Sequence, residues 1–251
     1  MKSEINPRYI HLQNFVDSLP STFDTSGELI YDARNKVRLF NVDGLPVVVK
    51  RYKVPMLHQR IDYSFFRPSK AKRAYLFGMR LLSLGISTPE PIAYIEEYRR
   101  GLFYQGYFLS AFCGDPDLRI LREEPNNHEE LMSAFVHFLV DMHEKGFVHG
   151  DTNLSNFLYR ADTSPMKYHI TTIDINRSHF SSAPSKKECL KSLMRITHER
   201  IAMKKIIGEY ARMRGWDVDM SVGYVVGCIE RFEKRKAMKS KILGGLSFSL
   251  F

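Results

Sequence analysis

His149-Gly150-Asp151 is followed by Asn156, five positions after the Asp, and eighteen residues later by Asp174, which ends the run Ile170-Thr171-Thr172-Ile173. These proton- and metal-handling side chains stand in a definite order. The set suits transfer of a phosphoryl group to a hydroxyl. One carboxylate takes the hydroxyl proton, while an amide oxygen and a second carboxylate hold Mg²⁺ against the phosphates. Hard oxygen ligands suit Mg²⁺, which keeps water and phosphate oxygens in its other positions. A His-x-Asp triplet alone carries little, and Asp or Asn in a polar turn commonly just caps nearby backbone. The weight comes from three polar positions at the required spacing, framed by two strand-like runs, Phe157-Leu158-Tyr159 and 169–173.

The elements that must position these residues are readable on both sides. Over 128–145 the pattern is helical, with Leu131, Phe135, Phe138, Leu139 and Met142 on one face and Gly146 ending it. That helix delivers the chain to His149. A hairpin follows, turning at Ala161-Asp162-Thr163-Ser164-Pro165, and 185–215 and 218–239 read as helices with a turn near Gly215-Trp216. Upstream, 29–31, 37–42 and 47–52 read as strands. Pro68 opens a helix that Gly85 closes, with Ala71, Ala74, Tyr75, Met79 and Leu82 as its buried stripe. Residues 91–96 and 102–112 form a strand pair, and Cys113-Gly114-Asp115-Pro116 breaks the pattern as a hinge. The first 20 residues are mixed, fit for a short helix or for covering a sheet edge. The expectation is an α+β chain: an antiparallel-sheet lobe over 1–112 with one main helix, then a helical lobe over 113–251 carrying the catalytic hairpin.

The motifs resemble the lipopolysaccharide kinase (Kdo/heptose kinase) family of the protein-kinase-like superfamily. Val47-Val48-Val49-Lys50-Arg51-Tyr52 looks like its lysine strand. Ser69-Lys70-Ala71-Lys72-Arg73-Ala74-Tyr75, then Leu84-Gly85-Ile86-Ser87-Thr88-Pro89-Glu90-Pro91, looks like its first helix and the loop after it. Asp174-Ile175-Asn176-Arg177 is similar to its metal-binding Asp followed closely by Arg, and the resemblance covers 28–180. It implies a protein-kinase-like two-lobe fold, ATP and Mg²⁺ as cofactors, and a sugar hydroxyl of the lipopolysaccharide core as acceptor. Asp151 is then the catalytic base, Asn156 and Asp174 the metal ligands, Lys50 the phosphate cation, and His149 a brace for the loop.

The chain departs from that pattern in places. No glycine-rich loop precedes Lys50; Asp32-Ala33-Arg34-Asn35 stands there, so Arg34 and Asn35 are the expected phosphate contacts. Residues 64–89 contain no Asp or Glu, so the first helix offers Lys50 no carboxylate, and Asp62 and Glu90 are the nearest substitutes. Asp174-Ile175-Asn176 replaces the Asp-Phe-Gly of protein kinases, and 178–184 is too short for a peptide-docking segment. A small-molecule or glycolipid acceptor is favoured over a protein. Two other readings remain: a soluble kinase of the aminoglycoside or choline type, and a pseudokinase scaffold without turnover. Retention of Asp151, Asn156 and Asp174 together favours turnover.

Composition sets the outer bounds. With 251 residues, 44% of them hydrophobic and 26% charged, the chain can bury a large core. It has no apolar run near the length of a membrane span, and Met1-Lys2-Ser3-Glu4-Ile5-Asn6 lacks the apolar core of a signal peptide. Cys113, Cys189 and Cys228 fit neither a metal spacing nor a disulfide framework, which points to a reducing cytoplasm. The net charge is +9, with basic residues concentrated after 185, among them Lys186, Lys187, Lys204 and Lys205. No nucleic-acid-binding motif accompanies that charge. The expected partners are a glycolipid or small sugar acceptor and peripheral contact with the anionic inner membrane face. The apolar tail Ile242-Leu243-Gly244-Gly245-Leu246-Ser247-Phe248-Ser249-Leu250-Phe251 is too short to span a bilayer.

Overall fold

A computed structural model describes residues 1–163 and 167–247, with side chains as far as Met238. Ser164 and Pro165 of the expected turn, the side chains of Lys239 and Lys241, and those of the apolar tail lie outside the described residues. The chain packs as two compact units. Unit 1 is Met1–Asp115 with Thr171–Asn176; unit 2 is Pro116–Ile170 and the chain from Arg177 onward.

Unit 1 is built on an antiparallel sheet of β1 (Lys2–Ile5), β2 (Glu28–Asp32), β3 (Lys36–Val42), β4 (Leu45–Arg51), β5 (Pro91–Arg99) and β6 (Leu102–Ala111), in the order β1-β5-β6-β4-β3-β2. β4 shows how the sequence decides its two faces. Val47 and Val49 are buried in the core, so strand alternation turns Val48 and Lys50 to the other side. Pairing of Lys50 with Val37 on β3 and Phe108 on β6 fixes its register inside the sheet rather than at an edge. The first residues serve both expected purposes: β1 covers the sheet edge along β5, and α1 (Gln13–Thr22) packs Val16 and Leu19 onto the core of Val47, Val49, Ile92 and Leu109.

Two further helices complete unit 1, α2 (Leu57–Phe65) and α3 (Lys70–Ser83). The sequence pattern offers no expectation for α2. α3 begins where Ser69 accepts a hydrogen bond from the Lys72 N–H at 3.2 Å and ends before Gly85, whose φ is 70°. Its buried face is Ala71, Ala74, Tyr75, Gly78 and Leu81. Leu82, expected inside, is exposed. Gly78 accounts for the shift: a β-carbon there would lie 2.5 Å from Cγ of Pro91, so the helix sits directly on β5 at that residue and buries Leu81 instead.

Unit 2 contains α4 (Ile120–Glu123), α5 (Glu129–Glu144), β7 (Phe147–Val148), β8 (Phe157–Ala161), β9 (Tyr168–Thr172, its last two residues in unit 1), β10 (His179–Phe180), α6 (Lys186–Ser192), α7 (Arg200–Met213) and α8 (Val218–Ser247). α5 buries Leu131, Phe135, Leu139 and Met142. β8 pairs with β9, and β7 pairs with β10 through Val148–His179 and Phe147–Phe180. The helix expected over 185–215 is interrupted: a tight turn at Leu193–Arg195 follows α6, and α7 restarts after Glu199. The Glu199 carboxylate accepts from the Ile201 and Ala202 N–H groups at 2.9 and 2.6 Å, an N-cap that begins a new helix. The break releases the Ile196 carbonyl, which accepts from the Leu154 N–H at 3.1 Å and so anchors the loop after Asp151.

Candidate active site

In unit 2, β7 carries the chain directly into His149-Gly150-Asp151. His149 is buried among Phe147 and Phe157, with ring centroids 6.1 and 5.3 Å away, and its Nδ1 accepts from the Asp151 N–H at 3.0 Å. Gly150 donates its N–H to Ser178 Oγ at 3.1 Å, and a β-carbon on it would lie 2.3 Å from the Arg177 carbonyl oxygen. The middle position therefore admits no side chain, because the turn Ile175–Arg177 ends against it. Asn153 Oδ1 accepts from the Ser155 N–H at 3.0 Å and caps the turn Leu154–Asn156. Asn156 Nδ2 donates to the Asp151 carbonyl at 2.8 Å, which leaves the amide oxygen as the atom offered outward.

The Asp151 carboxylate faces guanidinium groups on both oxygens, Arg177 Nη1 at 3.3 Å from Oδ2 and Arg195 Nη1 at 3.8 Å from Oδ1. They fix its direction and offset part of its charge. Arg195 lies far along the chain from Asp151, so no local pattern couples the two. Both residues line a pocket of about 540 Å³ within unit 2. Arg200 and Lys204 reach it from α7, and Phe232 and Glu233 from α8. The Arg195 guanidinium lies 5.2 Å from the centroid of the Phe232 ring. Cations, carboxylates and an aromatic ring around one cavity can hold a polyhydroxylated, partly anionic molecule beside a proton acceptor.

In unit 1, Lys50 Nζ lies 2.7 Å from Asp174 Oδ1, which also accepts from Asn176 Nδ2 at 2.7 Å. Asp174 holds a left-handed backbone, φ 55°. Its segment is fastened to the loop after α3, where the Thr172 N–H donates to the Ser87 carbonyl at 2.9 Å and the Ser87 and Thr171 hydroxyls meet at 3.0 Å. The lysine ammonium also lies 5.6 Å from the Tyr52 ring centroid, and burial, then the Asp174 charge, pushes the Tyr52 phenol far above its ordinary pKa. The substitutes expected for a helix carboxylate are engaged elsewhere: Asp62 pairs with Arg67, while Glu90 takes Arg8 and the Tyr9 hydroxyl, each at 2.7 Å. The carboxylate that Lys50 meets is thus the one expected to bind metal.

The remaining predicted residues, Arg34 and Asn35, sit in the exposed turn between β2 and β3, where Asn35 Oδ1 accepts from the Lys53 N–H at 3.1 Å. Among the described residues no group of three or more His, Cys, Asp or Glu side chains could hold a metal. Within unit 1 the Asp174 carboxylate, and within unit 2 the Asn156 amide, each offer a hard oxygen of the type that suits Mg²⁺.

The family described as "Lipopolysaccharide kinase (Kdo/WaaP) family" matches residues 41–207. Among solved structures, WaaP in complex with acyl carrier protein is similar at a TM-score of 0.62 and 18% identity, over 95% of this chain and 99% of that one. The Rio2 kinase–ADP/Mg²⁺–phosphoaspartate complex from Chaetomium thermophilum follows at 0.49 and 13%, over 88% and 75%. The MAP kinase LmaMPK10 from Leishmania major stands at 0.43 and 14%, over 86% and 65%. None of the curated proteins matches. The fold is α+β and protein-kinase-like.

Proposed function

Because this chain belongs to the lipopolysaccharide kinase (Kdo/WaaP) family, and is therefore a kinase, we propose that it transfers the γ-phosphoryl group of ATP, with Mg²⁺, to a sugar hydroxyl of the lipopolysaccharide core. The observation that carries the acceptor reading is the Asp151 carboxylate on the wall of the 540 Å³ pocket, beside Arg195, Arg200 and Lys204. The acceptor hydroxyl hydrogen-bonds to Asp151, which takes its proton as the new phosphorus–oxygen bond forms. Arg177 and Arg195 keep the carboxylate aimed. Lys50 would offset phosphate charge, and Asp174 and Asn156 are the residues proposed to offer oxygens to a metal. Bound Mg²⁺ would neutralise charge on the phosphates. The cations of the pocket also weigh against a polycationic aminoglycoside.

No helix among the described residues is long and apolar enough to cross a membrane. With a lipid-linked acceptor, the proposed workplace is the cytoplasmic face of the inner membrane. The likeness to WaaP, seen with acyl carrier protein, makes such a carrier a proposed protein partner as well.

The test is transfer of labelled phosphate from ATP to lipopolysaccharide cores, choline and aminoglycosides in parallel. Asp151→Asn should lower turnover on the core by about 10²–10⁴-fold while nucleotide-induced thermal stabilisation persists. Transfer to an aminoglycoside or choline but not to a core would sink the acceptor reading, and full turnover in Asp151→Asn would remove Asp151 from the chemistry.

A further inference from the structure

α2 is the element of unit 1 whose exposed face the catalytic reading leaves unexplained. It is clamped to the start of β6 by three of its residues. The Tyr63 ring meets the Phe103 ring edge-on at 5.4 Å, Ser64 Oγ accepts from the Phe103 N–H at 2.8 Å, and Arg60 Nε donates to the Phe103 carbonyl at 2.8 Å. So held, the helix turns its large apolar residues outward. Met56 is 72% exposed, Leu57 60%, Ile61 40%, Phe65 67% and Phe66 80%. Leu57, Ile61 and Phe65 recur at four-residue spacing, so they form one line along the helix. A helix in a water-soluble fold normally buries such a stripe. Here the stripe ends in a pair of phenylalanine rings 6.4 Å apart.

Cations outnumber acids along the segment that carries this ridge. Residues 51–73 contain seven Lys or Arg and a single acid, Asp62, which Arg67 engages. Exposed Lys53 and Arg67 flank the helix at its two ends. An apolar line with Phe and Leu, bordered by cations, is the pattern of a helix that lies in the headgroup region of an anionic bilayer. Three of the C-terminal lysines are engaged elsewhere. Lys204 lines the pocket, Lys205 donates to Pro125 O and Asn126 Oδ1, and Lys186 lies over the Trp216 ring at 5.1 Å. We propose that α2 is a docking ridge which seats unit 1 on an anionic lipid surface, its Phe65 and Phe66 entering the acyl boundary and the neighbouring cations meeting the phosphates. The ridge shares no residue with the proposed phosphoryl-transfer machinery.

The whole chain, mixed with sedimenting vesicles of phosphatidylethanolamine and phosphatidylglycerol, should partition onto them and leave neutral phosphatidylcholine vesicles largely bare. Phe65→Ser/Phe66→Ser should lower partitioning at least about tenfold, since withdrawing one buried Phe is enough for that loss. Its melting temperature should match wild type, because both rings already face solvent. Turnover on a soluble acceptor should stay unchanged, so docking and catalysis are read separately. The control Lys186→Gln/Lys187→Gln should retain most binding. Equal partitioning of wild type and the double Phe variant overturns the proposal. So does a wild type that ignores anionic vesicles, an outcome that would assign the ridge to a protein partner. A control variant that loses as much as the Phe variant overturns it too.

Discussion

Asp151 owes its setting to single residues that no local pattern announces. Its order relative to Asn156 and Asp174 is legible, because Asn156 lies in the same short loop and Asp174 ends a recognisable strand-like run eighteen residues on. Arg195 is not, because only folding brings it within 3.8 Å of the carboxylate. Gly150 is legible as a glycine and illegible as a necessity until the Arg177 carbonyl is seen where its side chain would stand. His143 is another such residue. It is buried, with Nδ1 2.8 Å from the Tyr210 hydroxyl and Nε2 3.1 Å from Ser192 Oγ. Burial, then the charges of Arg214 and His149, lowers its pKa from 6.5 to about 3. The folded state therefore keeps it neutral while the unfolded chain takes up a proton below about 6.5. The stability this contributes is complete above that pH and is lost as pH falls toward 3, by up to about 1.4 kcal/mol per pH unit. Urea titrations should show that slope in wild type, on top of the carboxylate contribution, and a shallower one in His143→Gln. Parallel slopes would mean that His143 titrates alike in both states.

At the scale of elements, the sheet strands of unit 1 were the easiest to read, since Val47 to Lys50 alternates between a core and a second face. α3 was readable in extent but off by one position in its buried face. Periodicity allows either Leu81 or Leu82 after Ala74 and Tyr75, and the close approach of Pro91 decides. This yields a prediction in which two effects oppose each other. Gly78→Ala gains about 1 kcal/mol of helix propensity. Its β-carbon would overlap the Pro91 ring at 2.5 Å, and overpacking of this kind typically costs about 1–3 kcal/mol. Net destabilisation is expected, and a variant with a raised melting temperature would show that α3 can slide off Pro91 freely. α2 escaped the reading because it is short and its apolar line faces solvent, so it lacks the pattern of a core helix. The interruption before Glu199 escaped for the opposite reason: apolar residues continue through it, and only the bond from Leu154 to Ile196 gives the break a purpose.

At the scale of the molecule, the family and the fold were legible from a few motifs, while the packing of Thr171–Asn176 was not. Those six residues begin with the last two of strand β9 yet pack with unit 1, held by Ser87 from the loop after α3. Contacts between residues so far apart in sequence leave no local trace. The net charge of +9 was legible as a number, but its distribution was not. After 185, Lys204 lies on a pocket wall, Lys186 over a ring face and Lys205 against the Pro125 carbonyl, while the cations bordering α2 lie beside exposed apolar surface. Raising salt should therefore weaken vesicle binding toward the level seen on neutral vesicles, because screening removes the share of the cations and leaves only that of Phe65 and Phe66. Unchanged binding at about 1 M salt in the sedimentation assay would remove charge from the attraction.

The Lys50–Asp174 bridge has a thermodynamic consequence. While lysine and aspartate neutralise each other at 2.7 Å, a divalent cation must displace an ammonium to reach the carboxylate. In the proposed function nucleotide phosphates would occupy that ammonium and release Asp174, so nucleotide and metal should each raise the affinity of the other, by the same factor because linkage is reciprocal. Such couplings are commonly about 5–150-fold. Lys50→Met removes the competitor. Without nucleotide, the variant should bind Mn²⁺ more tightly than wild type in an electron-spin-resonance titration, even as it loses cooperativity with ATP. Identical Mn²⁺ affinities would mean that the bridge opens at no cost. A difference would mean that the bridge keeps the proposed metal and phosphate sites closed on each other until both ligands arrive together.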